Sequence, residues 1–458
     1  MLTSTIAAIS TGLTNSGISI IRISGNKSLD IAKKIFDSYK KLEPNKIVYG
    51  NIVKNDIIVD NVLVSYFKAP KSFTGEDIIE INCHGGVQIT KEILEYVLQN
   101  GAVLAGPGEF SRRAFLNGKI DLSKAEAVID LINAKTRVGT KIFEKQLQGE
   151  LAVKVTKLRE ELIEMLAHIS VSIDYPEYDY EEVKNENVVT LLNKKIKEIS
   201  NLLKTYEQGK VIKNGVNVAI IGRPNVGKSS ILNRLSKSNK AIVTDIAGTT
   251  RDIVEESVNI GNLVLNLSDT AGIRDTDDLI EKMGVEKSIK ILDEVDLVLY
   301  VLNAEDKIQK EDYEILSKIK NKELKYIVVI NKIDKIDKTS QNQILTQIKG
   351  LEVENLIMVS ACENYGMDEL KSKIEEMFNT NDLDYQNELI ITNERHKMLL
   401  EMAVNNLNNA INTINLGMPI DIISIYIKNA TKFLGQIIGQ DVNLEVTKKI
   451  FEKFCIGK

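Results

Sequence analysis

The segment from Val216 to Leu232 limits the fold more than any other. It runs from the short apolar stretch Val216 to Ile221, through Gly222-Arg223-Pro224-Asn225-Val226-Gly227-Lys228-Ser229, to the helically spaced Ile231 and Leu232. A strand, a glycine-rich turn and a helix in that order begin a right-handed crossover, so this part of the chain should build a parallel sheet. Further apolar runs at Leu263 to Leu267, Leu297 to Leu302, Tyr326 to Ile330 and Leu356 to Val359 alternate with helical stretches, the pattern of an open α/β sheet.

On either side the hydrophobic period changes. Leu151, Val155, Leu158 and Leu162 recur at three or four residues, and so do Leu400, Ala403, Leu407 and Ile411, which predicts long helices both before and after the α/β part. That part therefore looks inserted into one helical domain whose two halves pack together. Residues 1–118 instead mix β-rich runs, such as Gly17 to Ile23 and Ile57 to Phe67, with turn clusters at Lys71 to Asp77 and Ala105 to Gly108, a compact α+β pattern. The expected architecture is multidomain α/β: an α+β domain over 1–118, a discontinuous α-helical bundle domain over 119–214 and 379–458, and a P-loop domain inserted over 215–378. At about 150 residues per domain, 458 residues accommodate three.

Composition removes several function classes. With 43% hydrophobic and 27% charged residues, the chain is no disordered linker. Its formal charge of −5 offers no general attraction to nucleic acid or anionic lipid, so any RNA contact must be local. Cys83, Cys362 and Cys455 lie far apart, as do His84, His168 and His396, which argues against a disulfide framework and against a zinc site built on local spacing. No long uncharged apolar stretch predicts a membrane span, and the first 21 residues, interrupted by Ser, Thr, Asn and Gly, read as two strands and not an export signal. A cytoplasmic protein is expected.

The glycine-rich turn lets backbone N–H groups converge on phosphate at a helix N-terminus. Lys228 adds a positive charge for the β- and γ-phosphates, and Ser229 offers a hydroxyl to Mg²⁺. Asn225, Val226, Gly227 and Ser230 complete the expected phosphate contacts. Asp269-Thr270-Ala271-Gly272 follows the next apolar run, where an aspartate can hold the Mg²⁺ shell and a glycine N–H can sense the γ-phosphate. In Asn331-Lys332-Ile333-Asp334 the carboxylate can accept from both the ring N–H and the exocyclic amino group of guanine, and adenine offers neither there. Ser360-Ala361-Cys362 supplies a backbone contact to the guanine oxygen. Four motifs in this order, each at a strand end of one sheet, predict GTP as the nucleotide.

Hydrolysis then faces two deficits. Ras-like GTPases carry a water-orienting glutamine after the DTAG motif, but that position here is Ile273. Asp275, Asp277, Asp278, Glu281 and Glu286 are the nearby carboxylates, and the residues alone do not choose among them. No arginine finger is assignable either. Arg251 and Arg274 are available, or a cation beside Asn225 and the loop Thr244-Asp245-Ile246-Ala247-Gly248-Thr249-Thr250 could do the same electrostatic work. Thr250 is the natural second hydroxyl for Mg²⁺.

These motifs, with Arg22-Ile23-Ser24-Gly25, Ser72-Phe73-Thr74-Gly75-Glu76-Asp77, His84-Gly85-Gly86, Pro107-Gly108-Glu109-Phe110, Arg113 to Lys119 and the terminal Phe454-Cys455-Ile456-Gly457-Lys458, closely resemble the MnmE (TrmE) family of bacterial tRNA-modification GTPases. The resemblance spans the whole chain. It implies a folate-binding, dimerising N-terminal domain and an inserted Ras-like GTPase domain. It implies a homodimer that works with the flavoprotein MnmG, in a heterotetrameric or larger complex, to add an aminomethyl or carboxymethylaminomethyl group at C5 of the wobble uridine of certain tRNAs. A reduced folate of the 5-formyl- or methylene-tetrahydrofolate type would supply the carbon, and by motif position its contacts fall on Arg22, Glu80, Lys119 and Lys458. The family's K⁺ ligands fall on Asn225, Thr244, Ile246 and Thr249, and its water-orienting carboxylate falls on Glu281. The segment Ser10 to Gly17 departs from the family's Pro- and Gly-richer turn.

A competing reading is a GTP-gated switch for RNA binding or ribosome assembly, but the C-terminal pattern is helical and lacks a basic or KH-type module. The base assignment has its own test. Asp334→Asn should cost about 1.5 to 3 kcal/mol of GTP affinity, about ten- to hundredfold, for the lost charge-assisted hydrogen bonds, and should favour xanthine nucleotides in equilibrium titration.

Overall fold

The computed structural model describes residues 4–175, 185–238, 256–268, 292–349, 353–378 and 388–457. Its first part comprises β1 (Ile6–Ile9), β2 (Ile18–Ser24), α1 (Ser28–Ile35), β3 (Ile47–Lys54), β4 (Ile57–Phe67), β5 (Ile78–His84), α2 (Val87–Gln99), β6 (Val103–Leu104) and α3 (Glu109–Leu116). The strands form one sheet in the order β3-β4-β5-β2-β1-β6. Side chains alternate between the faces of a strand, so Ile21, Ile23, Val62, Val64, Ile79 and Ile81 turn inward together and pack with Ile31, Ile35, Ile93 and Val97 of α1 and α2. Arg22 and Glu80, in register with each other, take the opposite face. That face also carries Tyr49 and Leu63, a register pair that stays exposed.

The chain continues through α4 (Leu122–Ile132), α5 (Arg137–Gln148), α6 (Glu150–Asp174), α7 (Asn185–Lys204) and α8 (Tyr206–Asn214). Gly215 then leads into a second sheet. Its elements are β7 (Val216–Ile221), α9 (Lys228–Ser238), β8 (Glu256–Ile260), β9 (Leu263–Ser268), β10 (Leu297–Asn303), α10 (Lys310–Asn321), β11 (Lys325–Asn331), α11 (Lys338–Lys349), β12 (Leu356–Met358) and α12 (Met367–Met377). The strand order is β12-β11-β10-β7-β9-β8. Every pair is parallel except β8–β9. This corrects the expectation of a wholly parallel sheet: only two residues join β8 to β9, which permits a hairpin and no crossover. Val218, Ile220, Leu299 and Val301 fill the core on one face, and Ala219, Val298, Tyr300 and Val328 fill it on the other. Burial on both faces explains why these strands read as continuous apolar runs.

The last helices are α13 (Glu394–Asn415), α14 (Ile420–Ile437) and α15 (Leu444–Phe451). α14 packs on α6 and α13, and α13 packs on α7. Leu151, Val155, Leu158 and Leu162 of α6, Leu400, Ala403, Leu407 and Ala410 of α13, and Ile423, Ile427, Ala430 and Leu434 of α14 share one core. Spacings of three and four place each set on one helix stripe. The bundle is thus made from segments on both sides of the second sheet. Among the described residues, no helix is long and apolar enough to cross a membrane.

The helical pair α4 and α5 grips the chain on both sides of the second sheet. On the outgoing side, Gln146 of α5 donates to Ile390 O at 2.9 Å and to Thr392 at 3.1 Å. Ile391 N donates to Thr205 at 3.0 Å. Gly209 of α8 is required here, because a Cβ would collide with the Ile391 carbonyl. Glu126 of α4 accepts from Arg395 at 2.9 and 2.6 Å and from His396 at 2.8 Å. On the incoming side, Lys213 of α8 donates to Asp130 of α4 at 2.8 Å. At the very next residue, Asn214 O accepts from Asn266 of β9 at 2.9 Å, and the same Asn266 amide donates to Asn217 Oδ1 at 3.1 Å. Lys135, between α4 and α5, reaches Ser257 of β8 at 3.1 Å.

Burial alone would raise the Glu126 carboxyl, but His396 and Arg395 outweigh it and hold it at about 2. Burial pushes the His396 imidazole below its usual value, against the pull of Glu126. Burial raises Asp130 despite Lys213. A histidine whose folded pKa is depressed contributes stability that is complete above its unfolded value of about 6.5 and is lost as pH falls below it. The melting temperature should therefore fall between pH 7 and pH 5, and His396→Gln should flatten that slope in thermal denaturation.

Candidate functional site

The C-terminal ends of parallel strands meet at one edge, where an open α/β sheet binds its ligands. The loop after β7 reaches this edge and turns into α9, whose first residues are Lys228, Ser229 and Ser230. Ser229 and Ser230 are exposed there. Lys228 donates to Gly222 O at 2.8 Å and to Arg223 O at 2.7 Å, which folds the loop around its ammonium group. Burial lowers that ammonium from its usual pKa. Asn225 holds a left-handed conformation with φ of 63° and is exposed.

Asn331 closes the arrangement. It is the last residue of β11 and only 2% exposed. Its amide donates to Val226 O at 2.9 Å and accepts from Ala361 N at 3.1 Å, so one side chain joins the loop after β7 to the loop after β12. Gly227, at φ of 96°, has no room for a Cβ against this amide. Lys332 donates to Asn225 O at 2.7 Å, and Asp334 is exposed just beyond. Ser360 pairs with Tyr365 through two backbone hydrogen bonds, 3.0 and 3.1 Å, that fix the turn carrying Ala361. The structure therefore brings together Asn225, Val226, Gly227, Lys228, Ser229, Ser230, Asn331, Lys332, Asp334, Ser360 and Ala361. Thr244, Asp245, Ile246, Ala247, Gly248, Thr249, Thr250, Asp269, Thr270, Ala271, Gly272 and Glu281 lie outside the described residues.

A second cluster lies on the open face of the first sheet. Arg22 of β2 donates to Glu80 of β5 at 2.8 Å, and its guanidinium carbon sits 5.8 Å from the Phe73 ring centre and 5.7 Å from that of Phe110. The loop carrying Phe73 is held by Asn117, which donates to Thr74 O at 2.7 Å. Lys119 donates to Pro70 O at 2.9 Å. Buried Arg113 reaches Glu76 of the same loop at 3.1 Å and Glu109 at 2.9 Å. Lys458 lies outside the described residues. Its neighbour Gly457 accepts from Ser10 at 3.1 Å, and Cys455 O accepts from Gly108 N at 3.3 Å, so the C-terminal motif packs on the first sheet and α3. Phe73 and Phe110 stand inside the motifs Ser72 to Asp77 and Pro107 to Phe110, where no charge or spacing marks them as neighbours of Arg22.

A family model described as GTP-binding protein TrmE N-terminus matches residues 5–119, and one described as MnmE helical domain matches residues 122–455. The tRNA modification GTPase MnmE of Acetivibrio thermocellus is 47% identical over 459 residues, 99% of each chain. That of Clostridioides difficile is 46% identical over the same length, again 99% of each chain. The chain belongs to the MnmE family of tRNA modification GTPases. Like its MnmE relatives, it is a GTP hydrolase acting in tRNA modification. Membership along the full length leaves no support for the assembly-switch alternative.

Within this MnmE chain, Asn331 gives the sharpest test of the site's construction. Asn331→Ala leaves the buried Val226 carbonyl and Ala361 amide without their partner, a loss of about 1 to 3 kcal/mol for a buried group left unpaired. GTP affinity should fall about tenfold by titration calorimetry, with a lower melting temperature.

Proposed function

We propose that the protein is a K⁺-dependent GTPase that acts as a homodimer with the flavoprotein MnmG. Together they use a reduced folate to add an aminomethyl or carboxymethylaminomethyl group at C5 of the wobble uridine of certain tRNAs. The observation that carries the folate part is the Arg22–Glu80 pair between Phe73 and Phe110. A carboxylate that accepts N–H bonds, beside the exposed ring of Phe73 that can cover a flat heterocycle, fits a pterin ring. Arg22, Glu80, Lys119 and Lys458 would hold the folate, which would supply the one-carbon unit. The exposed Tyr49 and Leu63 on the same face favour pairing of two copies through this sheet.

In the nucleotide site, Ser229 and Thr250 would ligate Mg²⁺, which neutralises charge on the β- and γ-phosphates. Asn225, Thr244, Ile246 and Thr249 would hold K⁺, whose positive charge would stand where other GTPases place an arginine finger. Asn225 supports this reading, since its exposed amide leaves the phosphate loop at a left-handed backbone position. With Ile273 unable to orient water, Glu281 would take that role. Val226 through Ser230 would bind the phosphates, and Asn331, Lys332, Asp334, Ser360 and Ala361 would bind guanine.

GTP turnover should rise at least about tenfold when Na⁺ is replaced by K⁺, and equal rates in the two buffers would refute the ion assignment. Glu281→Ala should retain nucleotide binding and lose hydrolysis. Nucleoside analysis of tRNA from cells lacking the protein should find the wobble uridine unmodified; normal tRNA accompanied by defective ribosomal particles would overturn the modification reading.

A further inference from the structure

Behind the phosphate loop lies a charged group that the site as described does not use. Asp312, in the first turn of α10, is fully buried. It accepts from the hydroxyl of Tyr300, itself fully buried in β10, at 2.6 Å, and from Gln309 N at 2.8 Å. The third group facing it is Arg223, whose Nε lies 3.4 Å from Asp312 Oδ1. The same guanidinium donates to Lys307 O at 3.3 Å and stands 3.8 Å from Asp306. Burial and the carboxylate raise the Tyr300 phenol well above its usual pKa, which keeps it a donor.

Arg223 is the second residue of the glycine-rich loop, and its carbonyl is one of the two that hold Lys228 Nζ. A buried carboxylate is costly unless compensated, and here two of its compensating groups belong to rigid elements while the third belongs to the loop. We propose that Tyr300 and Asp312 form a brace that fixes Arg223. The brace thereby holds the Gly222 and Arg223 carbonyls in the geometry that positions Lys228 for phosphate. Arg223 and Asp312 are then positioning residues for nucleotide binding. The inference rests on reading residues 222–229 as the phosphate loop.

A rigid loop binds phosphate without first being ordered, so loss of the brace acts on nucleotide affinity more than on turnover. In the full-length protein, Asp312→Asn should raise the dissociation rate of a fluorescent GDP analogue about tenfold, the size expected for losing one charge-assisted contact. KM for GTP should rise by more than kcat falls. Arg223→Gln should do the same, Arg223→Lys should restore part of the affinity, and the double variant Arg223→Gln/Asp312→Asn should be no worse than either single one. Should Asp312→Asn fail to fold, Tyr300→Phe removes one support from the carboxylate and should still raise the dissociation rate. A lower melting temperature with unchanged dissociation rates, or additive losses in the double variant, would overturn the brace. Lys228→Ala serves as the control: if it leaves nucleotide binding intact, the phosphate-loop reading itself fails, and if it alone weakens binding, only the brace fails.

Discussion

The buried carboxylate of Glu126 is the point on which the architecture turns. An ionised group removed from water is tolerated only when it is paired and fully hydrogen-bonded, and Arg395 and His396 do both. Their arrival at α4 fixes where the chain resumes after the inserted sheet. From that point α13 runs back along α7, and the apolar stripes of α6, α13 and α14 close over one another. The cluster, with the hydrogen bonds of Gln146 and Thr205 to residues 390–392, adds direction to an apolar contact that does not by itself set the register of the two halves.

The same economy of contacts governs the nucleotide site. Parallel strands deliver their loops to one edge, but adjacency of loops does not make a binding surface. Asn331 supplies what topology cannot, because one planar amide offers a donor to Val226 and an acceptor to Ala361 at once. An ionised aspartate at this position could only accept, and would leave the Val226 carbonyl without a donor. The glycine at 227 belongs to the same solution, since the amide occupies the volume a side chain would need.

Much of this was legible in the sequence. The strands from Val216 to Met358 could be read because burial on both faces makes them uninterrupted apolar runs, and the helices of the bundle because their apolar residues repeat at three and four. The strand Glu256–Ile260 escaped for the opposite reason. Only Val258 and Ile260 of its five residues are apolar, as expected for an edge strand, and a polar run of that length reads as a loop. His396 looked like one of three scattered histidines. Its partner Glu126 lies 270 residues away, and no local pattern announces such a pair. The brace on Arg223 is hidden for the same reason, because Asp312 reads as an ordinary acidic residue in the first turn of a helix. The loop Thr244 to Thr250 and the motif Asp269 to Gly272, though legible in the sequence, fall outside the described residues, as does Glu281, which only the family resemblance singles out.

The contact of Asn266 with Asn214 has a mechanical consequence. It fastens the last turn of α8 to β9, while Tyr206 and Gly209 of the same helix pack into the bundle, so α8 is the element that joins sheet and bundle. From Asn214 the polar contacts pass to its neighbour Lys213 and on to Asp130, in the last turn of α4. That ammonium–carboxylate joint, with the reach of Lys135 to Ser257, ties α4 and its following loop to the sheet through polar contacts that lie outside either apolar core.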